Sequence, residues 1–141
     1  MCQSQELHLG MRRINPSGMY DPPGGRFSQV VESTGGRHVY VAGTIAADEE
    51  GTIVGDTVEA QTKVVLENIE TSLEAADATP SDVVRNTIYA TDASAFLEEG
   101  YDHVVEFFGT QSLPASALIG VDHLAHPDFL VEIESTAIVD E

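Results

Sequence analysis

Residues 129–139, FLVEIESTAIV, alternate so regularly that they decide the fold class of this chain. In an extended strand, successive side chains point to opposite faces. Phe129, Val131, Ile133, Ala137 and Val139 therefore share one face, and Leu130, Glu132, Glu134 and Thr136 share the other. One face suits a core; the other carries two carboxylates.

Working upstream, Pro114 opens another strand over 115–121, and 122–128 (DHLAHPD) reads as a polar hairpin loop between the last two strands. Leu97, Tyr101, Val104 and Phe108 fall on one face of a helix that Asp92 or Ser94 caps and Gly109 stops. Residues 83–90 (VVRNTIYA) are β-branched and aromatic, a strand. Val58, Thr62, Val65, Ile69, Leu73 and Ala76 recur at helical spacing behind a capping-box-like Asp56 and Glu59, and Pro80 ends that segment. Residues 27–33 alternate, Gly35-Gly36 makes a tight turn, and 38–45 (HVYVAGTI) reads as the returning strand of a hairpin. The region 48–55 (DEEGTIVG) is a further turn.

The resulting order is β-β-α-β-α-β-β, an α+β fold with a mixed sheet and two helices on one face. Two helices cover only one side of such a sheet. The side bearing Glu132 and Glu134 needs a partner, which predicts oligomerisation. Residues 1–25 read as an N-terminal tail and a Pro/Gly-rich leading loop (NPSGMYDPPGG at 15–25), and 26–141 as the domain. The first ten residues, MCQSQELHLG, lack the basic and apolar regions of a signal peptide, and Met11 could equally initiate the chain.

Composition narrows the function classes. The 141 residues carry 24 Asp plus Glu against 6 Lys plus Arg, a net charge of −18, dispersed rather than gathered in a tail. This surface repels phosphate backbones and anionic lipids, so neither nucleic acid nor a membrane is an expected partner. A ribonuclease reading fits it poorly. At about 1 M salt the screening length falls to ~3 Å and the self-repulsion fades, which suits a protein from a salt-loving organism. Cys2, the single cysteine, permits no internal disulfide or Cys-based zinc site and agrees with a reducing cytoplasm. No apolar run reaches the roughly 20 residues that span a bilayer.

Other constellations carry less. His123 and His126 with Asp122 and Asp128 have metal-ligating chemistry, but they lack the helical spacing of a zinc motif and fit a polar loop better. His103 reads as a helix-surface or interface residue. Gly24-Gly25 and Gly35-Gly36 read as turn glycines, and there is no GxSxG, P-loop or GxGxxG.

Taken together, FSQVV (27–31), HVYVAGTI, the helix EAQTKVVLENIETSLEAA (59–76), SDVVRNTIYATD (81–92) and LPASALIGVDHLAHPDFLVEIESTAIV (113–139) resemble the Rid family, the YjgF/YER057c/UK114 or endoribonuclease L-PSP proteins. The resemblance implies a chorismate-mutase-like fold in a trimeric barrel, with ligand clefts between subunits and no cofactor. It also implies hydrolysis of 2-imino acids to 2-keto acids and ammonia. Such a site needs a cation for the substrate carboxylate and an acid to position water. The acid maps to Glu132. The position of the usual arginine, after Pro114-Ala115, holds Ser116, with Ala117 beside it. Phe27, Ala42 and Tyr101 stand where the family places a tyrosine, a serine and an asparagine. Arg26 is the candidate replacement cation; otherwise the ligand is one that Ser116 and backbone N–H groups suffice to hold. Glu134 either flanks the pocket or faces a wet central channel.

Overall fold

A computed structural model describes residues 10–140 and, for residues 3–8, the backbone. Cys2 and Glu141 lie outside the described residues. The elements are β1 (Gln3–His8), β2 (Met11–Asn15), β3 (Val30–Ser33), β4 (Arg37–Thr44), α1 (Val58–Ala75), β5 (Val83–Ala90), α2 (Ala93–Glu99), α3 (Tyr101–Phe108), β6 (Ala115–Gly120) and β7 (Val131–Val139). They build two sheets, β1-β2-β3 and β4-β7-β5-β6. The second is mixed: β7 runs antiparallel to both neighbours, and β5 and β6 run parallel.

The alternation in β7 appears as expected. Val131, Ile133 and Ala137 are fully buried and join one core with Val65, Ile69 and Leu73 of α1, and Phe96, Val104 and Phe108 of α2 and α3. Each of these side chains except the small Ala137 contributes about 1.5–3 kcal/mol when removed from water. The helices thus cover one face, while Tyr40, Ala42, Arg85, Thr87, Glu134 and Thr136 surround a cavity of about 390 Å³ on the other. Among the described residues no helix is long and apolar enough to cross a membrane.

Several local expectations are corrected. The predicted hairpin of 27–33 with 38–45 does not form: β3 pairs with β2, and β4 pairs with β7. The reason is that 11–15, assigned to the tail, is a strand that takes β3 as partner, with Arg12 bonded to Glu32 across the pair at 3.1 Å. Its two arginines conceal the alternation. Met11 is buried, and so is Arg13, which donates to Leu113 O at 3.1 Å and Ser81 O at 2.9 Å and ties the small sheet to the large one. Nor is 122–128 a hairpin loop, since β5 lies between β6 and β7.

In α1 the cap is Thr57, whose hydroxyl accepts from the Ala60 N–H, one residue beyond the expected Asp56. Asp92 caps the next segment, but Gly100 divides it into α2 and α3. A Cβ on Gly100 would stand 2.8 Å from the Phe96 ring and 2.9 Å from Thr62 Oγ1. This close approach shifts the phase, so Phe96 is buried and the predicted core residue Leu97 is exposed. Gly109, at φ 85°, ends α3 as predicted.

Candidate functional site

Ser28 makes a parallel bridge to Ala115, and its N–H donates to Pro114 O at 3.0 Å. The chain before β3 therefore runs beside the start of β6. This brings the Arg26 guanidinium over the Tyr101 ring, 5.5 Å from its centroid, within cation–π range. The Tyr101 hydroxyl in turn reaches Ser116 Oγ at 3.5 Å, the outer limit of a hydrogen bond. Three of the predicted residues, on a loop, α3 and β6, thus meet. Burial pushes the Tyr101 phenol up, while its bond to Ser116 and the positive charge of Arg26 act the other way. Phe27 follows Arg26 and is half-buried.

Glu132 and Ala42 lie elsewhere. Ser116 is in register with Asn86, which is buried and accepts a 2.8 Å hydrogen bond from Ser135 on the helix side. Ala117 is level with Thr87 on the open side. Adjacent in sequence, Ser116 and Ala117 face opposite ways. Glu132 pairs with Tyr89 on the open face, together with Ala42 and Glu134. Glu134 accepts a hydrogen bond from the Tyr89 hydroxyl at 3.1 Å. Partial burial pushes the Glu132 carboxyl above its ordinary range, and the Glu134 charge adds to the rise. The Tyr89 phenol is also pushed up, first by its bond to Glu134.

The separation follows from sheet geometry. β5 lies between β6 and β7, so Ser116 and Glu132 are roughly 10 Å apart across the strands and roughly 10 Å along them, on opposite faces. A small ligand cannot touch both within one protomer.

Sequence reasoning passed over three residues. Asn86 has a buried Nδ2 without a partner among the described residues; a lone amide inside VVRNTIYA was its signal. Tyr89 holds Glu134. Gly43 lies against Glu132, and a glycine inside a strand marks a close approach. The histidines of 122–128 serve the loop itself: His126 Nδ1 accepts from the Asp128 N–H at 3.1 Å, and its ring meets Phe129 edge-on. His103 is half-buried and bonds Glu59 at 2.8 Å between α3 and α1, where the bond holds the Glu59 carboxyl below its ordinary range. Among the described residues no three His, Cys, Asp or Glu side chains converge as a metal ion would require.

Comparison with known proteins agrees with this architecture. The family model described as Endoribonuclease L-PSP matches residues 20–139. A RutC family protein of Pyrococcus abyssi is 40% identical over 118 residues, covering 82% of this chain and 87% of the relative. The crystal structure of YyfB, a Rid family protein from Yersinia pestis, superimposes with a TM-score of 0.87 at 38% identity, covering 93% of this chain and 100% of that one. A YjgF/YER057c/UK114 family member from Mycobacterium tuberculosis superimposes at 0.62 with 39% identity, covering 80% and 86%.

Proposed function

The chain belongs to the endoribonuclease L-PSP family, the Rid or YjgF proteins, and from that premise we propose that it hydrolyses a small 2-imino acid in a cleft shared by neighbouring protomers of a homotrimer. The observation that carries this reading is the cation at the rim of β6. Ser116 cannot grip a carboxylate as an arginine does, but Arg26 stands over Tyr101, whose hydroxyl meets Ser116. A guanidinium with two hydroxyls beside it suits a planar carboxylate.

The acid is Glu132. A carboxylate whose pKa is raised is a better base for water, because its proton affinity lies closer to that of the group it must deprotonate. In the proposed step water adds to the carbon of the protonated imine as Glu132 takes a proton from the water, giving the carbinolamine. Glu132 then returns that proton to the amino nitrogen, the C–N bond breaks to release ammonia, and the carbinolamine hydroxyl gives up its proton to leave the 2-keto acid. Because Ser116 and Glu132 face opposite sides of one sheet, the cleft joins the Arg26–Tyr101–Ser116 group of one protomer to the Glu132 of its neighbour. The unfilled open face supplies the reason for the neighbour to bind.

The test is complementation between variants. Arg26→Ala and Glu132→Gln should each retain only a residual, measurable trace of activity toward 2-iminopropanoate generated in situ in high salt. Mixed, unfolded and refolded together, they should regain activity at about a quarter of the sites, the share that pairs one intact Arg26 with one intact Glu132. No recovery, with assembly intact, would refute a shared site. One feature favours a second reading, a non-catalytic metabolite-binding protein of the same fold: Ser116 stands where the family resemblance implies a guanidinium. Calorimetric binding of a 2-keto acid by a wild type that never turns over the imine would select that reading.

A further inference from the structure

We propose that Gly43 is a positioning residue for Glu132: the missing side chain on β4 is the notch in which the Glu132 carboxylate rests. The proposal rests on the reading of Glu132 as the working acid, but its structural half stands apart from any activity. β4 and β7 lose register between the pairs Val41↔Ser135 and Thr44↔Ile133, so three steps along β4 match two along β7. This bulge sets one extra residue of β4 against β7. At that place the Glu132 side chain crosses from β7 onto the backbone of Gly43. A Cβ built on Gly43 would overlap Glu132 Oε2 and stand 3.0 Å from Cδ and 3.4 Å from Cγ.

Two further observations point the same way. Among the described residues no hydrogen bond reaches the Glu132 carboxylate, whereas its neighbour Glu134 is held by Tyr89 at 3.1 Å. Shape, not a bond, therefore defines where the Glu132 carboxylate sits. Gly43 also has no positive φ. Its backbone suits any residue, so the glycine is not needed for the turn of the chain. What an alanine would meet is the far end of a flexible side chain, which can swing away. The fold should therefore survive the substitution while the carboxylate moves by roughly 1 Å, a displacement that costs about a hundredfold when it separates a catalytic group from its target.

The experiment compares wild type, Gly43→Ala, Glu132→Gln and the double variant in high salt. Thermal unfolding and assembly should be preserved in Gly43→Ala. The Glu132 carboxyl, followed by carbon NMR and assigned by its loss in Glu132→Gln, should titrate closer to an ordinary glutamate once displaced toward water. If the imine is turned over, kcat should fall about a hundredfold with KM little changed, and Gly43→Ala should add nothing in the Glu132→Gln background. An unshifted Glu132 titration, or equal losses in both backgrounds, would overturn the proposal. Should wild type show no turnover while the titration shifts as expected, the deaminase reading falls and the role of Gly43 stands. Should Gly43→Ala not fold, Gly43→Ala with Glu132→Asp decides: the shorter acid withdraws the oxygen that the added methyl would overlap and should restore folding, and failure to do so refutes the notch.

Discussion

Gln61 offers the sharpest test of how the helix layer holds β7, the strand that carries Glu132. It is 1% exposed and makes three hydrogen bonds: Nε2 donates to Gly55 O at 3.1 Å and Asp128 O at 2.9 Å, and Oε1 accepts from the Leu130 N–H at 2.9 Å. Gln61→Leu keeps the volume and removes all three. Gly55 and Asp128 are exposed, so their carbonyls can turn to water at a modest net loss, whereas the half-buried Leu130 N–H loses its partner outright. One orphaned donor at about 1–3 kcal/mol and two exchanged bonds at about 0.5–1 kcal/mol each, less about 1 kcal/mol gained from an apolar side chain, leave a loss of about 1–4 kcal/mol. For a domain of this size that lowers Tm by roughly 3–12 °C. The assay is thermal and urea unfolding at fixed protomer and salt concentration, since assembly shifts the midpoint. Gln61→Glu retains the acceptor for Leu130 but sets a carboxylate against two carbonyls. It should be the worse variant at neutral pH and should recover as the acid protonates. A loss below about 0.5 kcal/mol for Gln61→Leu, the range of an uninvolved surface site, would refute the reasoning.

Gly36→Ala should destabilise by about 2–3 kcal/mol in urea unfolding, because φ is 94° and the new Cβ would stand 2.8 Å from both Ile138 Cγ2 and Val139 O; an unchanged midpoint would contradict this geometry. The folded-state pKa of Glu132 is raised, so its charged form opposes folding: the full stability is present below the unfolded-state value and is lost as pH rises through the folded one. Glu132→Gln should flatten that part of the stability profile, and an unaltered slope would show that Glu132 does not contribute to it. With a net charge of −18, unfolding temperatures should climb as KCl rises from about 0.1 to 1 M, where the Debye length shrinks from about 10 to 3 Å; a flat response would argue against a surface built for salt.

Much of the fold was legible because side-chain period is a local property. The burial of Val131, Ile133 and Ala137, the stripe of Val58 to Leu73 and the stop at Gly109 all follow from residues that are near neighbours in the chain. The strand at 11–15 was hidden because Arg13 is buried against carbonyls, a satisfaction that only distant residues provide. The break at Gly100 was hidden for a similar reason, since the ring it accommodates packs with α1.

For the site, the resemblance to the family pointed to Tyr101, Ser116 and Glu132, with Arg26 as the candidate replacement cation, and the order of segments carried that resemblance. Which of these meet is a different kind of fact. Side-chain alternation says that Ser116 and Ala117 oppose each other, but not which of them faces the helices. That depends on β6 running parallel to β5 and on β5 standing between β6 and β7, pairings between segments far apart in sequence. Local chemistry determined what each strand and helix would be; only the tertiary structure decided that Arg26 joins Ser116 while Glu132 lies across the sheet, because hydrogen-bond register is settled between strands and not within them.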